Sequence, residues 1–122
     1  MAKLHRQIGK PQNLDWEGVQ IKEYASTSAR GVEGKVIIGP QDGEPNYYLR
    51  YFRVEPGGYT SLDRHEHDHG VYVIHGRAEV LLGEKTVEIG PHDIVYIPGN
   101  EVHQFRVTGP EPLGFLCIVP PH

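Results

Sequence analysis

The sequence contains a single cysteine, Cys117, in 122 residues, so no internal disulfide can staple the chain. Cys117 lies in the apolar run Phe115 to Val119 and reads as a buried, inert core residue, with a reactive thiol as the other reading. A basic excess is also missing. The formal net charge is -4 and the pI is near 6.0, which leaves no basic patch for nucleic acid and no polybasic arm for a membrane. No apolar run approaches the ~18 residues of a membrane span, and the opening MAKLHRQIGKPQ lacks the apolar centre of a secretion signal. These absences predict a soluble, cytoplasmic protein. Helical periodicity is absent too, since no segment repeats apolar residues at helical spacing over three turns.

What is abundant is turn chemistry. Gly 15 and Pro 10 are spread along the chain, the composition of short strands joined by tight turns, and the length suits one domain with one core. Residues 1–31 read as an N-terminal arm or short strand followed by a small, polar loop from Ala25 to Gly31, with Trp16 as a packing anchor. From Val32 to the end of the chain the rhythm is that of a β-domain. Strands are expected over Lys35–Ile38, Tyr47–Glu55, Gly70–His75, Arg77–Leu82, Lys85–Ile89, Asp93–Ile97, Gln104–Val107 and Gly114–Val119. Pro56-Gly57-Gly58 is expected to turn the chain, and Gly83-Glu84 to form a two-residue type II′ hairpin. Even, short spacing of this kind predicts an all-β sandwich or barrel.

Alternation does not settle the Tyr47–Glu55 strand. Tyr48, Arg50, Phe52 and Val54 share one face and Tyr47, Leu49, Tyr51 and Arg53 the other, and both faces mix aromatic with basic groups. Aromatic stems could cover the sheet while the arginines reach solvent, or one face could line a pocket.

The chemistry concentrates between Gly57 and Gly76, GGYTSLDRHEHDHGVYVIHG, which carries His65, His67 and His69 of the chain's eight histidines, with Asp63 and Asp68. Side chains in an extended segment switch faces at every residue, so Asp63, His65 and His67 can enter one space. Imidazoles and carboxylates crowded together either shift one another's pKa or share a cation. Gly57, five residues, Asp63, Arg64, His65, three residues, His69, six residues and Gly76 resemble, without a gap, the first cupin motif. Asp63 stands where that family usually has its first histidine, and His69 where it usually has its glutamate. The second cupin motif is similar to His92, five residues, Pro98, Gly99, Asn100, two residues, His103, three residues and Val107. Here Pro98 and His103 match. Asn100 and His92 replace glycines, and both are residues that tolerate positive φ. Val107 replaces an asparagine, which predicts an apolar surround beyond His103.

The resemblance implies a double-stranded β-helix, or jelly-roll barrel, with a divalent transition metal (Mn, Fe, Ni, Zn or Cu) held by Asp63, His65, His69 and His103. Two other readings remain open. His65, His67 and His69 could be the ligands with Asp63 behind them, or the histidines could form a solvated loop with no ion. His5 and His122 read as exposed terminal residues, and His75 as a strand-end residue.

The resemblance further implies an enzyme acting on a small-molecule substrate. A metal-dependent dioxygenase is the first expectation, with Tyr51 and Arg53 orienting substrate at the barrel mouth. The second is a non-redox isomerase or lyase in which an unliganded carboxylate or His67 moves a proton at a metal-polarised carbonyl or enediolate. A metal-dependent binding or sensing module without turnover is the third. The same resemblance implies a homodimer paired through sheet edges and N-terminal strands.

Overall fold

The computed structural model describes residues 2–23 and 28–122, so residues 25–27 of the expected small, polar loop lie outside the described residues. The described residues form nine strands: β1 (Gln20–Glu23), β2 (Arg30–Ile38), β3 (Tyr48–Tyr59), β4 (His69–His75), β5 (Ala78–Leu82), β6 (Lys85–Ile89), β7 (Ile94–Ile97), β8 (His103–Val107) and β9 (Leu113–Val119). From β4 onward each strand begins within one residue of its expected start. A single turn of 3-10 helix, Pro40–Asp42, fills the loop after β2.

All pairings are antiparallel. The order is β6-β5-β8-β3-β9-β4-β7, with β2 on the other side of β3 and β1 on β2. β3 is the common strand. It pairs β9 over Tyr48 to Val54, β2 along most of its length, and β8 through Tyr59 and Arg106, so the sheet curls over itself into the expected all-β barrel. Inside, Val54, Val71, Val73, Val80, Ile97, Phe105, Phe115 and Val119 make the core. They come from alternate positions of β3, β4, β5, β7, β8 and β9, the period-two pattern of a strand with one buried face.

One turn is corrected. Pro56-Gly57-Gly58 does not reverse the chain; β3 runs on to Tyr59, which pairs Arg30 across a bulge. Gly57 has φ +78, and a Cβ on Gly58 would lie 2.5 Å from the Arg30 carbonyl oxygen, so the two glycines let the backbones close over the extra residues. Other turns are as expected. Gly83 has φ +64 while Glu84 does not have positive φ, as a type II′ hairpin requires. His92 (φ 74) and Asn100 (φ 67) are the described non-glycine residues in the left-handed region.

Alternation fails on β3 because both faces are covered. Phe52 and Val54 turn into the barrel. Tyr51 points to the outer face yet is fully buried, because the N-terminal segment lies over it. The Trp16 ring meets Tyr51 edge-on at 5.2 Å, Lys35 Nζ donates to Leu14 O at 2.7 Å, and Arg53 Nε donates to Gln12 O at 2.7 Å. Trp16 is thus a packing anchor within its own chain.

Candidate metal centre

The site is assembled where the loop between β3 and β4 is laid along the start of β8. Thr60 N–H donates to Phe105 O (2.9 Å) and Phe105 N–H to Thr60 Oγ1 (2.9 Å). Three residues on, Asp63 and His103 exchange backbone hydrogen bonds in an isolated antiparallel bridge. The far side of the same loop is held by Asn100, whose N–H donates to His65 O at 2.5 Å. The left-handed turn at Asn100 therefore positions His65. Gly99 permits that contact, since a Cβ there would sit 2.3 Å from the Glu66 carbonyl oxygen.

These constraints bring donor atoms of Asp63, His65 and His103 within 4.8 Å of one another. His69, at the start of β4, sets its ring edge-on to His65 (5.1 Å between centroids) and near His103 (5.3 Å). Ser61 Oγ donates to Asp63 Oδ2 at 2.7 Å and so orients the carboxylate. His103 Nδ1 lies 2.9 Å from Glu101 O, and because a carbonyl can only accept, Nδ1 carries the proton and Nε2 offers its lone pair. Burial pushes the His69 pKa down to about 3, helped by the charges of His103, His67, His65 and Arg50. Burial also lowers His65, against the opposing pull of Asp63. At neutral pH His65 and His69 are therefore neutral, the form that binds metal.

Ligands about 2.0–2.2 Å from an ion lie roughly 3–4 Å apart, so the Asp63, His65 and His103 donors need only small side-chain adjustments to share one. Nitrogen and oxygen donors of this mixture suit a divalent transition metal, and the three groups form a candidate Asp/His/His metal site with His69 beside it.

The donors open onto a cavity of about 190 Å³. Its walls are largely apolar, from Phe52, Val71, Ile97, Phe105 and Phe115, and they also include Arg50 and Cys117. The apolar surround expected beyond His103 is supplied by Phe105.

His67 does not line this cavity. Its ring stacks on His65 (5.1 Å, 7°) on one side and on His122 (4.6 Å, 24°) on the other, at the rim. Tyr51 and Arg53 are not at the barrel mouth. Both lie on the outer face of β3, where Tyr51 Oη bonds His75 Nε2 (2.6 Å) and Arg53 reaches Gln12 and Glu55. The expectation that they orient substrate is corrected: the residues that β3 sends into the cavity are Arg50 and Phe52.

Sequence reasoning missed Arg50 and the placement of Cys117. No residue of the strand signalled this, because Leu49 on one face balances Val54 on the other. His5 differs from expectation, whereas His122 is exposed and His75 ends its strand as expected. His5 is half-buried and bonds Asp42 Oδ1 at 2.8 Å. His122 is exposed but joins the rim stack. His75 is buried, with Nδ1 donating to Pro112 O at 2.9 Å, and a Cβ on Gly114 would fall 2.0 Å from its Nε2.

Comparison with known proteins agrees with this fold. Residues 50–119 match the Cupin_2 family model, described as a cupin domain. The chain is 42% identical over 109 residues to a 1-methylthio-D-xylulose 5-phosphate methylsulfurylase of Rhodospirillum rubrum, covering 85% of this chain and 67% of that one. Among solved structures it resembles a cupin 2 conserved barrel domain protein from Rhodopseudomonas palustris, with TM-score 0.83 and 34% identity over 97% of this chain and 80% of that one. It also resembles the polyketide cyclase RemF from Streptomyces resistomycificus, with TM-score 0.81 and 27% identity over 100% of this chain and 80% of that one. With its barrel, its paired motifs and a matching family model over more than half its length, the chain belongs to the cupin domain family.

Proposed function

We propose that this protein is a metal-dependent enzyme that activates the carbonyl of a small organic substrate without consuming oxygen. The observation that carries the reading is the meeting of Asp63, His65 and His103 donors, with His69 beside them, at the wall of a small and otherwise largely apolar cavity. A divalent ion held there supplies Lewis acidity toward a carbonyl or enediolate oxygen. Ser61 and Glu101 hold two of the donors in register for it. The phenylalanine wall of Phe52, Phe105 and Phe115 excludes water from the reacting atoms. His67, outside the cavity and half-buried, is the group placed to carry a proton between solvent and site.

Substrate class is suggested by the relatives. A methylsulfurylase of a methylthio ketose phosphate and a polyketide cyclase both have names that describe carbonyl compounds. A sulfur-substituted ketose phosphate is the first substrate to try. The test is turnover of 1-methylthio-xylulose 5-phosphate, with a small thiol present, by protein reconstituted separately with Mn, Fe, Ni, Zn and Cu under nitrogen. Metal-dependent product formation without oxygen supports the reading, and turnover only with stoichiometric oxygen uptake contradicts it. The oxygen-dependent alternative, a dioxygenase, draws on the same site, because four protein ligands leave positions free on an octahedral ion.

A further inference from the structure

Among the described residues Arg50 is a cation without an ion-pair partner. Register sets it directly opposite Cys117 across β3 and β9, and both side chains enter the cavity. Its Nη2 donates to Cys117 Sγ at 3.3 Å, and its guanidinium lies 5.0 Å from the Phe52 ring centroid. Its Nε is buried and has no hydrogen-bond partner among the described residues. Among the described residues the one carboxylate lining the cavity is Asp63, which sits with the imidazoles.

A buried donor without a partner is disfavoured, and a guanidinium presents a planar fork suited to carboxylate or phosphate. Charge gives the same answer. One guanidinium, one carboxylate and a divalent ion leave a small cavity with two surplus positive charges, which an anionic ligand would neutralise. We propose that Arg50 is the specificity-determining residue of this cavity, selecting small organic oxyanions and holding them beside Cys117 and the metal donors. This deepens the reading of the cavity as a substrate site by assigning the anionic end of the substrate to Arg50 and its carbonyl to the metal.

The test uses the full-length, metal-free protein, so it does not depend on the metal chemistry. Cys117 is the single cysteine, and its alkylation can be followed by mass. Iodoacetate and iodoacetamide react by the same displacement and differ in charge. The ratio of their rates cancels the acidity of the thiol, which Arg50 itself alters. Relative to 2-mercaptoethanol, the wild type is expected to favour iodoacetate by about tenfold. Arg50→Gln should return the ratio to that of the free thiol, and Arg50→Lys should keep part of it. Inorganic phosphate in one arm and oxalate in the other should slow iodoacetamide in the wild type but not in Arg50→Gln, and the anion effective at lower concentration identifies the preferred group. A wild-type ratio equal to that of free thiol overturns the proposal. So does a ratio unmoved in Arg50→Gln, or a native Cys117 that neither reagent reaches. A positive ratio in a protein that never binds metal would uphold Arg50 and sink the proposed enzyme.

Discussion

Asp63 and His103 each donate a backbone N–H to the other's carbonyl oxygen, at 3.0 and 2.9 Å. Residues opposed in such a pair carry their side chains on the same face, about 5.5 Å apart at Cα. The carboxylate is therefore delivered beside the imidazole by the main chain. The remaining freedom is the rotation of the Asp63 carboxylate, which Ser61 restrains through its 2.7 Å hydrogen bond. Ser61→Ala should leave the barrel folded and weaken metal binding by about tenfold, read by competition with a chromogenic chelator.

Gly99 should be intolerant of any side chain. A Cβ there meets the Glu66 carbonyl oxygen at 2.3 Å, and relief would require moving the loop that carries His65 away from the Asn100 turn. Gly99→Ala is expected to cost about 1–3 kcal/mol and to reduce metal affinity together with stability. Gly70→Ala is the control, because its Cβ would meet nothing within 4 Å.

Tyr51→Phe separates stability from chemistry. It removes the hydroxyl that donates to His75 Nε2 inside a buried pair on the outer face of the sheet. The orphaned acceptor should lower stability by about 1–3 kcal/mol, measured in urea. Metal content and the alkylation ratio at Cys117 should stay at wild-type values, since Tyr51 does not line the cavity.

Acid should destabilise the metal-free protein. Burial lowers the pKa of His65, His67 and His75 from 6.5, and that of His69 to about 3. The unfolded chain takes up protons near 6.5 that the folded chain refuses. The contribution of these groups is therefore fully present above 6.5 and is lost as pH falls toward the folded values. Thermal midpoints of the chelator-treated protein should fall progressively below about pH 6.5, and His69→Leu should flatten the slope.

Much of the site could be read from the sequence because its parts are local. Asp63, His65 and His69 lie within a few residues of one another, and His103 is marked by Pro98 ahead of it. The left-handed turns at His92 and Asn100 followed from the cupin motif, which has glycines there, and from the tolerance of both residues for positive φ. What could not be read depends on distant contacts. The inner face of β3 was ambiguous because the N-terminal segment buries the outer face as well, so Tyr51 looked available and Arg50 looked exposed. His75 pairs Gly114 across a register shift after Val73, and no short pattern in the sequence announces such a shift. The stack of His122 on His67 joins positions that only the closed barrel brings together.

The central claim is that the Asp63, His65, His69 and His103 side chains hold one metal ion. The most direct measurement is elemental analysis of untagged protein, after reconstitution with Mn, Fe, Ni, Zn or Cu, for wild type, Asp63→Ala and His67→Ala. About one ion per chain in the wild type, lost in Asp63→Ala and kept in His67→Ala, is the predicted result. An ion kept in Asp63→Ala and lost in His67→Ala, or none bound by the wild type, would contradict it.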